Sequence, residues 1–167
     1  ETLIAAGMAS YEEITRSDYS FHCTTTTATA AVIALPTTAA GIGLFNAAPD
    51  GGKSIVIDAI YAINIAGHDI LGQSGLIYVV GQTKVAALGG ALIVRKNNGN
   101  GPGDDSVADV AAGATALDGI TGVAIGWVPV GQTVKHTVVS LPGCVLWADI
   151  QGRIIVPPGR QFGVNVI

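Results

Sequence analysis

The sequence is poor in charged residues, and this shortage limits how its surface can meet water. Asp, Glu, Lys and Arg make up 12% of the chain, while hydrophobic residues reach 49%. Soluble domains usually carry about 25% charged residues. Because large exposed apolar areas normally mark contact surfaces, the shortage favours a chain that associates with itself and is partly covered by neighbouring subunits. The alternative is that small residues such as Ala, Gly and Thr raise the apolar count without forming such areas.

Basic charge and long hydrophobic runs are also lacking. The 8 Lys and Arg residues are outnumbered by 12 Asp and Glu residues, which leaves a net charge of −4. A stripe of basic residues that follows a phosphate backbone is therefore not expected, and neither is nucleic acid as a partner. No stretch approaches the roughly 20 apolar residues of a spanning helix, and the first residues lack a secretion-leader pattern. We expect no membrane partner.

The residues that are present predict strands and turns. Apolar runs are short, rich in Val and Ile, and end at Gly, Pro, Asn or Asp. Residues 54–66 alternate, so that Ile57, Tyr61 and Ile63 fall on one buried face of a long strand. Residues 76–80 and 91–94 are continuous apolar runs, which predict central strands covered on both sides.

The second half of the chain repeats this pattern. Further strands are predicted at residues 136–139, 144–147, 153–156 and 162–167, with Phe162, Val164 and Val166 on one face of the last. Turn-forming residues separate them, including Gln151 and Gly152. Short strands at this spacing predict one all-β domain over residues 1–167, an antiparallel β-sandwich of the jelly-roll type.

Two segments depart from the strand pattern. Residues 1–30 contain a simple Thr- and Ala-rich stretch, which predicts an N-terminal arm or an edge strand. Residues 97–119 open with Asn, Gly, Pro and Asp and continue with small residues, which predicts one long surface loop. Loops of this length commonly bind something or stay mobile, so we expect the loop to be a contact element.

Residues that could support catalysis or hold a metal do not form a recognisable group. His22, His68 and His136 are tens of residues apart, so metal binding as in a jelly-roll metalloenzyme would depend entirely on how the fold closes. The sequence also lacks the signatures of a nucleophilic Ser or Cys and of a phosphate-binding loop. Cys23 and Cys144 stand alone, which favours two reduced thiols over a disulfide. We expect no enzyme and no cofactor.

Aromatic residues are scarce at 5% of the chain, and most lie within the predicted strands. Such positions favour core packing. Aromatic faces also suit sugar stacking, so a carbohydrate-binding module remains the alternative. The candidate residues are Phe45, Tyr61, Trp127, Trp147 and Phe162.

The last sixteen residues carry a resemblance to a known family. The stretch GRIIVPPGRQFGVNVI at residues 152–167 resembles the closing hairpin of the trimeric jelly-roll decoration, or cement, proteins of tailed-bacteriophage heads. The resemblance implies a homotrimer on the outer capsid surface of a virion, made in the host cytoplasm. It also implies that neighbouring major capsid protein subunits are clamped together, without catalytic residues or a cofactor.

Two segments are the predicted contact elements for the oligomer or the capsid, since both lack residues that anchor a core. One is the N-terminal arm and the other is the long loop, and deleting either is expected to abolish shell binding while leaving the fold intact. The candidate contact residues are Glu1, Thr2, Leu3, Ile4, Asn97, Asn98, Asn100, Asp104 and Asp105.

Overall fold

A computed structural model describes residues 10–27, 29–30, 34–36, 39–63, 75–81, 92–101, 106–116, 126–132 and 145–167. Within these ranges the chain forms one short helix and nine strands. They are α1 (Ser10–Arg16), β1 (Phe21–His22), β2 (Ala39–Asn46), β3 (Ile55–Ile63), β4 (Gly75–Val80), β5 (Arg95–Lys96), β6 (Ala108–Ala116), β7 (Val128–Gln132), β8 (Val145–Val156) and β9 (Gln161–Val166).

Five of these strands form an antiparallel sheet in the order β6-β2-β9-β4-β7. The last strand lies at its centre, with Val164 opposite Ile42 on β2 and opposite Tyr78 on β4. Because side chains alternate along a strand, Phe162, Val164 and Val166 share one face and pack into the same apolar cluster. The prediction of that shared face is confirmed.

A second layer covers this face. Strands β3 and β8 pair with each other as a two-stranded antiparallel ribbon. The ribbon turns one side toward the larger sheet, and the buried core between the two layers consists of Ile57, Ile60, Leu76, Ala148, Ile150, Ile154, Val156, Phe162 and Val164. The protein is therefore an all-β antiparallel sandwich, as predicted.

The opposite face of the five-stranded sheet is buried as well. Ile77 and Val79 on β4 are almost inaccessible there, so the prediction that this strand is covered on both sides is confirmed. Part of the cover comes from the N-terminal segment. A Cβ atom added to Gly41 of β2 would lie 2.8 Å from Thr29 Cγ2, and Trp127 Nε1 donates a hydrogen bond to the Pro36 carbonyl at 2.7 Å.

The prediction of one long loop over residues 97–119 is wrong, because Ala108–Ala116 is strand β6. It pairs with β2 along its length, and Val110 and Ala111 are buried. Cross-strand hydrogen bonds and the burial of small side chains are sufficient for a strand at this position, although the segment lacks bulky residues.

The predicted central strand at residues 91–94 is also wrong over its described part. Leu92 to Val94 are outside any strand, and Ile93 is well exposed. The Leu92 amide donates to the Val110 carbonyl, so this run lies beside β6 without forming a ladder. The paired residues are the next two, Arg95 and Lys96.

The C-terminal segment differs from the expected hairpin. Residues 145–156 form one strand rather than two, and β8 and β9 belong to different layers. The Pro157–Arg160 connection therefore crosses from the ribbon to the five-stranded sheet. Gln151 and Gly152 do have the positive φ angles of a tight turn, at 51° and 72°, but they bend β8 without ending it.

That bend changes which side of β3 faces the core. Ile57 pairs with Ile154 and Ala59 pairs with Asp149, so residues 150–153 of β8 lie opposite the single residue Asp58. This bulge has three extra residues on β8 and reverses the alternation of β3, whereas β8 keeps the same side toward the core with Ala148, Ile150 and Ile154 buried. Beyond it Ile60 is buried, whereas Tyr61 and Ile63 are exposed. The prediction that Tyr61 and Ile63 are buried is wrong for this reason.

The N-terminal arm contains the only helix among the described residues. Helix α1 has Glu12 and Glu13 in its first turn and Arg16 in its last, where each charge suits the helix dipole. Glu12 and Arg16 form an ion pair of 2.9 Å. The arm then pairs with β5 through β1, and Cys23 beyond it is a free thiol. Cys144 and residues 136–139 lie outside the described residues.

Candidate docking surface

The outward side of the β3–β8 ribbon carries a cluster of exposed apolar side chains, which we call the outer face. Cross-strand pairing brings Val56 next to Ile155 near one end and Tyr61 next to Trp147 near the other. The exposed fractions are 56% for Val56, 66% for Tyr61, 61% for Ile63, 60% for Trp147 and 54% for Ile155. Single exposed apolar residues are ordinary, but several on one ribbon indicate a contact surface.

The aromatic pair is the most prominent part of the outer face. The Tyr61 and Trp147 rings have centroids 6.1 Å apart and planes that differ by 7°. This geometry lies within the preferred range for aromatic pairs, and each ring buries about 150–250 Å² when it is fully covered. Large aromatic side chains of this kind commonly dominate the binding energy at the centre of interfaces.

Helix α1 reaches the outer face through one hydrogen bond. The Tyr11 hydroxyl donates to Asp58 Oδ1 at 2.7 Å. The pKa of the Tyr11 hydroxyl is raised by this hydrogen bond, then by partial burial and by the negative charges of Asp58 and Asp149. The two carboxylates therefore lie close to one phenol, between the aliphatic and the aromatic ends of the outer face.

The predicted contact residues Asn97, Asn98 and Asn100 lie together in the turn after β5, but they bind the chain's own N-terminal segment. The Asn97 amide donates to the Ser20 carbonyl at 2.9 Å, and Asn97 Oδ1 lies 2.6 Å from His22 Nδ1. Asn98 Nδ2 donates to the Thr15 carbonyl at 3.1 Å. The N-terminal arm and the start of the predicted loop, which we expected to be separate contact elements, are therefore joined to each other by hydrogen bonds.

Asp18 is the centre of this arrangement. It follows helix α1 with a φ of 63°, and its carboxylate accepts hydrogen bonds from the Asn98 and Asn100 side chains. Lys96 Nζ lies 3.4 Å from Asp18 Oδ2. The hydrogen bond from Asn98, with the positive charge of Lys96, lowers the pKa of the Asp18 carboxyl below its usual value. The charged form of Asp18 therefore stabilises the contact between the N-terminal arm and the turn after β5, which we call the junction.

The remaining predicted contact residues are Glu1, Thr2, Leu3, Ile4, Asp104 and Asp105, and they lie outside the described residues. So do two of the three histidines considered as metal ligands, His68 and His136. The part of the chain that the structure describes contains no group of three or more His, Cys, Asp or Glu side chains placed to hold a metal ion. It also contains no helix long and apolar enough to cross a membrane.

The five aromatic residues considered for sugar stacking separate into two groups. Phe45 and Phe162 are buried in the sandwich, and Trp127 is half-buried with its indole bonded to Pro36. Tyr61 and Trp147 are exposed side by side. Sequence reasoning missed this surface because it placed Tyr61 on the buried side of β3.

No protein-family model matches this chain, no curated protein matches it, and no solved structure matches it.

Proposed function

We propose that this chain is a structural virion protein that binds the outside of a phage capsid as a homo-oligomer, with a homotrimer as the expected form. It stabilises the shell by bridging major capsid protein subunits, and it works without catalysis. The observation that carries the proposal is the outer face of the β3–β8 ribbon, where apolar side chains are exposed on a rigid scaffold. The resemblance of residues 152–167 to decoration proteins is the reason for proposing a phage capsid as the assembly to which the chain binds.

The energetics of docking favour a surface of this kind. Association is opposed by the loss of translational freedom and by the ordering of side chains and loops. The outer face belongs to paired strands anchored in the core by Ile57, Ile60 and Ile154, so little ordering is needed when it docks. Since stable interfaces cover about 800 Å² on each partner, the aromatic pair would form the centre of a larger contact.

A carbohydrate-binding module of a virion fibre or spike is the second candidate function. The observation that favours it is the exposed, nearly parallel pair of Tyr61 and Trp147. Aromatic rings accept the apolar faces of sugars, and polar neighbours fix the orientation of a bound ligand. This function predicts binding of soluble oligosaccharides, which the capsid function does not require.

The proposal is tested by locating the chain in virus particles. Virus particles would be purified from a culture in which this chain is naturally produced. They would then be labelled with gold-conjugated antibodies raised against the folded domain. Labelling distributed over intact heads supports the capsid function. Labelling confined to fibres favours the carbohydrate-binding function, and absence of the chain from particles contradicts both.

The oligomeric state is tested on the purified chain. Light scattering should give a discrete oligomer with a mass that does not depend on added ligand, and three copies of the 16.8 kDa chain are expected. Metal analysis of the same sample tests the jelly-roll enzyme alternative. A monomer at all concentrations, or stoichiometric metal, contradicts the decoration proposal.

A further inference from the structure

The outer face carries negative charge in its middle. Asp58 and Asp149 are both exposed, and Asp149 pairs with Ala59, the residue after Asp58. Asp58 accepts a hydrogen bond from the Tyr11 hydroxyl, and Asp149 accepts one from Gln151 Nε2 at 2.6 Å. Within the described residues neither carboxylate forms a salt bridge, so the negative charge of both remains available to a partner.

The carboxylates adjoin the aromatic pair. Asp149 and Trp147 are two residues apart on β8, which places them on the same side of the strand at a spacing of roughly 7 Å. Cations are attracted to the faces of Trp and Tyr rings as well as to carboxylates. A single guanidinium or ammonium group positioned here would interact favourably with both kinds of neighbour.

The nearby cations of this chain are directed elsewhere. Arg153, on the same bend of β8, has its Nε bonded to the Ile150 carbonyl at 3.2 Å. Lys53 lies with its Nζ 4.8 Å from the centre of the Tyr19 ring. Among the described residues, neither of these two cations neutralises Asp58 or Asp149, so the outer face can accept a positive charge from another molecule.

A twofold contact between two copies of the outer face is unfavourable. In a twofold contact the same patch faces itself, so the Asp58 and Asp149 carboxylates of two acidic chains would be brought together. Like charges that meet across an interface disfavour binding, whereas opposite charges improve association rate and specificity. The charge of the face thus favours a different, basic partner surface.

We propose that the outer face binds an arginine- or lysine-bearing apolar segment of the assembly to which this protein attaches. The cationic side chain lies between Asp58 and Asp149 and against the Trp147 ring. Apolar side chains beside it cover Val56 and Ile155 at one end and Tyr61 and Ile63 at the other. This inference rests on the proposed function and specifies the chemistry of its partner.

Two fluorescent peptides of matched length test the inference, one alternating arginine with valine and the other alternating glutamate with valine. Their binding to the whole chain would be measured by fluorescence anisotropy at low and high salt. We expect the arginine peptide to bind about tenfold or more tightly than the glutamate peptide, with a preference that declines as salt screens the charges. The variant Asp58→Asn/Asp149→Asn should weaken arginine-peptide binding by about tenfold, since two ion pairs are lost.

Matched variants separate charge from other effects. Asn keeps an oxygen that can accept the Tyr11 hydrogen bond, so the double variant should fold normally. Asp109→Asn, on β6 of the other sheet, removes one carboxylate away from the outer face and should leave peptide affinity unchanged. Tyr61→Ser/Trp147→Ser should weaken binding of the arginine peptide by at least as much as Asp58→Asn/Asp149→Asn does.

Several results would overturn the inference. Equal affinity for the two peptides, no loss in the Asp58→Asn/Asp149→Asn variant, or no binding of the arginine peptide up to about 1 mM would each do so. Binding of neutral maltohexaose or chitohexaose that depends on Trp147 but not on the carboxylates would assign the face to glycans. If particle labelling succeeds while the arginine preference is absent, the proposed function survives and this inference fails.

Discussion

A buried asparagine at the end of β2 gives the sharpest test of how the sandwich is held together. Asn46 is fully buried and links three segments. Its Nδ2 donates to the Lys53 carbonyl at 2.9 Å and to the Val156 carbonyl at 2.8 Å, and its Oδ1 accepts from the Ala48 amide at 3.0 Å. The side chain thereby connects the five-stranded sheet to the end of the ribbon.

The cost of removing this side chain follows from those three bonds. Each net hydrogen bond contributes about 0.5–1.5 kcal/mol, and a buried partner left unsatisfied adds about 1–3 kcal/mol. We therefore expect Asn46→Ala to lower the free energy of unfolding by about 3–4 kcal/mol. That loss is a large part of the 5–15 kcal/mol that stabilises a typical domain.

Urea unfolding followed by tryptophan fluorescence measures the loss, with an unchanged m-value as the check that the denatured state is the same. Thr26→Ala is the control, because Thr26 is exposed and should lose less than about 0.5 kcal/mol. A loss below about 1 kcal/mol for Asn46→Ala would refute the reasoning.

A second substitution distinguishes hydrogen bonding from cavity formation. Asn46→Asp keeps the volume but places a carboxylate oxygen against two carbonyl oxygens. Since that environment disfavours the charged form, the folded-state pKa of the new carboxyl should be raised. Its penalty should therefore be small in acid and should grow as the pH rises above about 4. A penalty that is independent of pH would contradict this explanation.

Three further predictions concern the junction, the bend and the outer face. Because the pKa of Asp18 is lowered in the folded state, its carboxylate stabilises the chain above the usual pKa of 3.8, and this contribution is lost as the pH falls through the folded-state pKa. Asp18→Asn should therefore destabilise the chain at neutral pH. The difference in unfolding free energy between the two proteins should shrink in acid unfolding titrations. Gly152→Ala should lower unfolding stability by roughly 1–2 kcal/mol in urea, because φ is 72° and the new Cβ would lie 3.2 Å from Val56 Cγ1; no loss would contradict the left-handed geometry. Trp147→Ser should change stability by less than about 1.5 kcal/mol in thermal unfolding, since the ring is exposed and one aromatic pair is lost.

The features that the sequence predicted correctly are those with a local cause. Alternation in residues 162–167 depends on side chains two apart, and its buried face at Phe162, Val164 and Val166 is confirmed. The continuous apolar run at residues 76–80 likewise became a central strand, because it must be covered on both sides. The all-β class followed from many such segments.

The features that the sequence did not predict depend on distant partners. The bulge that exposes Tyr61 is caused by the Gln151–Gly152 bend, about ninety positions along the chain from β3. Nothing near Tyr61 shows that the alternation reverses there. The turn at residues 97–100 also looked like a free loop, although Asp18 binds it from 80 and 82 positions away.

The central claim is that the outer face is covered when the protein joins its assembly. Hydroxyl-radical footprinting with mass spectrometry, on the free chain and on intact particles, tests this directly because aromatic side chains report their own exposure. We predict strong oxidation of Tyr61 and Trp147 in the free chain and protection of both in particles, while the half-buried Trp127, which packs against the opposite face of the five-stranded sheet, keeps the same reactivity in each state. Equal oxidation of Tyr61 and Trp147 in the free and assembled states would contradict the account.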